Sequence, residues 1–145
     1  MKKIFLIITL CISASLFSQT KKALFLGNSY TSYYDLPSLI RNVGLSFGDT
    51  LETQKNTPGG STFLDHVGNP TSLSLINASQ WDFVILQEQS QIPSLPQSIT
   101  GSYYSVPHSI TLNNLIKQNN SCTETVFYMT WGRKFGDSDY CGTHP

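Results

Sequence analysis

Ala23-Leu24-Phe25-Leu26-Gly27-Asn28-Ser29-Tyr30-Thr31 is an apolar run of strand length that stops at a glycine and gives way to small polar residues. That change is the signature of the first turn of an α/β sheet, where ligands and nucleophiles sit outside the carboxyl ends of the strands. A serine there can be held at a helix N-terminus, among backbone N–H groups able to receive a developing negative charge. Gly27 to Thr31 also read as a Ser/Thr-rich cap on the first helix, and taken alone they favour that reading. The downstream residues shift the balance towards a site.

Beyond this turn the chain alternates between strand and helix patterns. Lys22–Leu26 is the first strand, and Leu36, Leu39, Ile40, Val43 and Phe47 give helical spacing over Leu36–Phe47, with Gly48 as the stop. Thr50–Gln54 is a short second strand. Thr57-Pro58-Gly59-Gly60-Ser61-Thr62 is a tight turn into a helix carrying Phe63, Leu64 and Val67, which ends at Gly68-Asn69-Pro70. Leu73–Ala78 adds a helical turn. Trp81–Leu86 contains Phe83-Val84-Ile85-Leu86, apolar on both faces as in a central parallel strand. Gln91–Pro107, with three prolines, is a loop or lid; His108–Asn119 is a helix with Ile110, Leu115 and Ile116 inward, and Thr125–Thr130 is a fourth strand. This alternation predicts an α/β fold: a parallel sheet covered on both faces, in three α/β/α layers.

The first residues form a separate unit. Met1-Lys2-Lys3, the apolar run Ile4–Ile12 and the small-residue exit to Gln19 have the layout of a secretory signal peptide over residues 1–19, too short to span a bilayer as a helix. The expectation is a secreted or periplasmic protein whose single domain covers residues 20–145. Nine basic and nine acidic residues balance in the full chain, and no Lys/Arg cluster suggests nucleic acid or a membrane surface as partner. Cys122 opens a strand and Cys141 lies well past its far end, which argues against their pairing; no Cys/His spacing suggests zinc.

In a parallel sheet the strand ends share one edge. They deliver Ser29, Gly59-Gly60, Gln87-Glu88-Gln89-Ser90 and Trp131-Gly132-Arg133. A hydroxyl, a glycine without a Cβ to block an oxyanion, and a side-chain amide are what acyl transfer needs. On these residues the chain resembles the SGNH (GDSL-like) hydrolases, in particular a secreted bacterial branch whose first block reads Gly-Asn-Ser-Tyr/Phe-Thr. The resemblance implies Ser29 as nucleophile and as first oxyanion donor, Gly60 as the block-two donor, and the Gln87 amide as the third, with Gln89 as alternative. It implies a flavodoxin-like sheet, no cofactor and no metal. The substrate it implies is a carboxylic ester, a small acyl group such as acetyl on a carbohydrate.

The chain departs from the family at the base, which is a His preceded three residues earlier by Asp. Of its three histidines, His66 and His108 fall in helices away from the expected edge, as surface or capping residues, and His144 has Cys141 in the Asp position. The expectation is therefore a C-terminally incomplete domain whose base lies beyond residue 145, with His144 a weak alternative. Glu88 reads as a buried partner for Arg133 or a solvated charge, Trp81 and Trp131 as core, and Asn28 as a residue that orients the serine loop or tolerates its turn. A non-catalytic glycan- or phosphate-binding module on the same fold is the alternative function.

Overall fold

A computed structural model describes residues 20–95, 98 and 104–130. Strand β1 (Lys21–Leu26) leads into a single helical turn, α1 (Ser29–Ser32), a 3₁₀ turn (Tyr33–Asp35) and helix α2 (Leu36–Ser46). Strand β2 (Leu51–Asn56) is followed by α3 (Phe63–Gly68) and α4 (Pro70–Ala78), and β3 (Phe83–Leu86) by a 3₁₀ turn (Ile92–Ser94). Helix α5 (Ser105–Asn119) and strand β4 (Glu124–Phe127) complete the described elements. The signal-peptide expectation for residues 1–19, together with Trp131, Arg133, Cys141 and His144, lies outside them.

All four strands are parallel, in the order β2-β1-β3-β4. The step from β1 to β2 runs one way along the sheet, whereas β2 to β3 and β3 to β4 run the other. Right-handed crossovers then place α2 on one face and α3, α4 and α5 on the opposite face. Packing agrees with this: Leu24, Leu26, Val84 and Leu86 from the sheet join Phe63, Ile76, Leu112 and Ile116 from those three helices in one buried cluster, closed by Trp81. On the other face Ala23 and Phe25 are buried, and α2 lies beside β2. This is the α/β three-layer fold that the strand–helix alternation predicts, with a flavodoxin-like strand order. The direction in which successive strands are added reverses between β1 and β3, which makes the carboxyl ends of those two strands the crevice where this fold takes its ligands.

Two helix faces differ from the sequence expectation. In α5 the buried pair is Leu112 and Ile116, one turn apart, while Ile110 is 54% exposed. Residues two apart on a helix point to different sides, so Ile110 cannot share the face of Leu112. In α2 and its cap residue Phe47 the apolar stripe faces outward: Leu39, Ile40, Val43 and Phe47 are all exposed, and Pro37 is the buried residue. Helical periodicity identifies an apolar stripe but not what covers it. Here the neighbour is β2, a polar strand at the sheet edge.

Candidate functional site

Ser29 stands at the first position of α1, directly after β1, with its residue exposed to solvent. Buried Asn28 is the cap: its Oδ1 accepts the Tyr30 N–H at 3.1 Å, while its Nδ2 donates to the Ser61 carbonyl at 2.9 Å. The second bond ties the block-one turn to the glycine turn. Asn28 thus orients the serine loop rather than merely tolerating it, and caps the helix as well. In the glycine turn Ser61 N–H donates to the Pro58 carbonyl at 3.2 Å, and Gly60 sits at the third position with φ of 75°. That geometry belongs to a type II turn, whose third residue needs the positive φ that glycine adopts freely. Thr62 and Asp65 form a reciprocal capping box that starts α3 immediately afterwards. The Ser29 and Gly60 N–H groups have no hydrogen-bond acceptor among the described residues.

Gln87 is fully buried, and this corrects its expected role. Its Oε1 accepts the Asn28 N–H at 3.0 Å and the Thr31 hydroxyl at 2.8 Å, and its Nε2 donates to the Glu88 carbonyl. An amide spent in this way is not presented to a substrate oxygen. It is a strut from the end of β3 to the turn after β1. Gln89 is likewise occupied: its Oε1 caps the following 3₁₀ turn by accepting the N–H groups of Gln91 and Ile92.

The strut explains Gly27. A Cβ built there would lie 2.6 Å from Thr31 Oγ1 and 2.7 Å from Gln87 Oε1. Gly27→Ala should therefore lower stability by about 1–3 kcal/mol through overpacking. Thermal unfolding followed by circular dichroism checks this, and an unchanged midpoint would show that the turn yields to the added methyl group.

His66 is a second correction. It is buried rather than a surface or capping residue, and it reaches the carboxyl-end edge of the sheet: Nε2 lies 2.9 Å from the Gly27 carbonyl and Nδ1 2.7 Å from Ser72 Oγ. Burial holds its imidazole below the ordinary histidine pKa, against the pull of the Gly27 carbonyl and Asp65 towards the charged form. Histidine spacing carried no signal for this, because the partners come from β1 and α4.

Glu88 is buried as one of its two sequence readings allowed. Its Oε1 accepts the N–H of Phe63 at 3.0 Å and of Gln89 at 2.8 Å, joining the end of β3 to the start of α3. Burial pushes its carboxyl above the usual range, opposed by those two bonds, by the Ser105 hydroxyl and by His108. His108 is half-buried on α5.

Just past Ser29, Tyr33 donates its N–H to the Ser29 carbonyl. The two residues are one helical turn apart and share a face. Tyr33 and Tyr34 are 66% and 79% exposed, with ring centroids 4.5 Å apart. Tyr34 and Asp35 both hold positive φ, and Asp35 is anchored by Lys55 at 2.6 Å, which lowers its carboxyl pKa. Cys122 is exposed and carries no disulfide among the described residues. A groove of about 460 Å³, lined in part by Lys21, Asp82, Asn120 and Glu124, opens at the opposite, N-terminal edge of the sheet, away from the fold's ligand crevice.

No family model and no curated protein matches the chain. Among solved structures it is similar to the crystal structure of a DUF4886 family protein from Bacteroides uniformis ATCC 8492, with a TM-score of 0.59 and 18% identity. The match covers 79% of this chain and 51% of that one, so the chain spans about half the length of the protein it resembles. The likeness is one of fold: a parallel α/β sheet flanked by helices.

Proposed function

We propose that this chain carries the nucleophile half of an SGNH-type serine esterase. The reading rests on one observation: Ser29 is exposed at the switch point of the sheet while every neighbour that fixes it is buried. Asn28, Thr31 and Gln87 lock its turn, and the Asn28–Ser61 bond brings the Gly60 turn beside it. Ser29 attacks the carbonyl carbon of a carboxylic ester, and the N–H groups of Ser29 and Gly60 receive the developing oxyanion. The general base takes the Ser29 hydroxyl proton during attack and passes it to the departing alcohol, and water then releases the acid from the acyl-enzyme. The base comes from outside the described residues: His66 is committed to Gly27 and Ser72, and the family resemblance puts the base in a later Asp-x-x-His block. The exposed Tyr33 ring on the Ser29 face offers a flat apolar surface to a sugar, which supports an acetylated carbohydrate as substrate. Export, as the first nineteen residues suggest, places the enzyme where such polymers are met.

Covalent labelling tests the reading. A fluorophosphonate should modify the protein once, with the adduct mapped to the Ser29 peptide and absent from Ser29→Ala. A folded chain that takes no label yet is retained by acetylated xylan or binds inorganic phosphate would instead be a binding module.

A further inference from the structure

His66 closes a circuit of hydrogen bonds around the base of the Ser29 turn. Gly27 N–H donates to the Asn56 carbonyl at 3.2 Å, continuing the β1–β2 ladder by one residue. Asn56 Nδ2 donates to Ser72 Oγ at 2.8 Å, Ser72 Oγ lies 2.7 Å from His66 Nδ1, and His66 Nε2 lies 2.9 Å from the Gly27 carbonyl. The proton positions follow from the acceptors. A carbonyl oxygen can only accept, so Nε2 carries the hydrogen. In the neutral ring Nδ1 is then bare and takes the Ser72 hydroxyl proton, so every donor points the same way around the ring. The circuit links the ends of β1 and β2 to α3 and α4 and clamps Gly27, two residues before Ser29.

We propose that His66 is a positioning residue that acts as an acid-sensitive latch on the Ser29 turn, closed while its ring is neutral and released when Nδ1 takes a proton. Protonated Nδ1 cannot accept from Ser72, whose own proton then loses its acceptor while its oxygen still receives Asn56. The circuit cannot keep its direction and a charge is left in a buried site. Asp65, on the same helix, is the charged group acting on the ring among the described residues; β1, β2 and α4 present Gly27, Asn56 and Ser72. Burial already disfavours the cation. The unfolded chain takes up its proton near the ordinary value of about 6.5 and the native ring only lower. Stability is thus complete above that value and falls as the pH drops through it. The proposal gives the regulation of the site under Proposed function and rests on that reading only where serine reactivity is measured.

The experiment is nitrogen-15 NMR of the histidine rings and of the Asn28 and Ser29 amides across pH, with fluorophosphonate labelling of Ser29 at each point. The expected ring is the Nε2–H tautomer. Its titration, the two amide shifts and the loss of labelling should share one midpoint below 6.5. Ser72→Ala removes the donor to Nδ1 and should move that midpoint upward. His66→Gln keeps a neutral N–H towards Gly27 and should abolish it. An Nδ1–H tautomer, or amides that stay put while the ring titrates, overturns the latch. If acid unfolds the protein first, His66→Gln should shift the unfolding midpoint to lower pH, and an unshifted midpoint overturns the latch equally. Amides that follow His66 in a protein whose Ser29 never labels would leave the latch standing and remove the esterase reading.

Discussion

Ser29→Ala is expected to abolish ester turnover, lowering kcat for p-nitrophenyl acetate on the order of 10⁴- to 10⁶-fold in any active form of the enzyme, with little change in KM. The residue is exposed and makes no contact that the core needs, so the unfolding midpoint should stay where it is. Unchanged stability with lost turnover separates a nucleophile from a helix cap, and Asn28 already performs the capping. Residual hydrolysis would come from the oxyanion donors alone. A variant that keeps full activity would move the nucleophile elsewhere and dissolve the acyl-enzyme mechanism.

Gln87→Leu is expected to have the largest effect on stability, costing about 3–6 kcal/mol. The substitution is close in volume but leaves the Asn28 N–H, the Thr31 hydroxyl and the Glu88 carbonyl buried without their partner, at about 1–3 kcal/mol each. Domains of this size have roughly 5–15 kcal/mol in total, so the loss takes a large share of the whole. Thr31→Val should cost only about 1 kcal/mol in the wild-type background. In Gln87→Leu the same change should cost less still or stabilise, because it removes a hydroxyl already orphaned. Urea unfolding of the two singles and the double measures this coupling. An oxyanion donor predicts the opposite pattern: a stable Gln87→Leu with turnover about a hundredfold lower. That outcome would return Gln87 to the role its sequence position suggests.

The strands were legible because each carries its signal locally. Phe83-Val84-Ile85-Leu86 is apolar on consecutive residues, and the structure has β3 over those four positions. The Leu112/Ile116 face was half legible: the helix was evident, but Ile110 looked inward by composition when only a four-residue step could share the buried face. The stripe on α2 was visible and its environment was not. The positions of Ser29 and of the Gly59-Gly60 turn at the strand ends were readable, whereas His66 carried no readable role. Its ring answers to Gly27 and Ser72, and nothing in the residues flanking it on α3 names either partner.

The sequence by itself determined the class of fold and where its loops fall, because period, turn residues and apolar runs act within a few residues of one another. It also determined that a serine and a glycine turn would reach one edge, since parallel strands all end on the same side. Only the tertiary structure decided the strand order, the switch point between β1 and β3, and which polar groups remain unspent. Gln87 and Asn28 are 59 positions apart, and their bond exists because β1 and β3 pair in one register, Leu26 beside Leu86. A side-chain amide can face a substrate or brace a turn with the same atoms. Register and burial choose between the two, and neither is written in the residues that flank it.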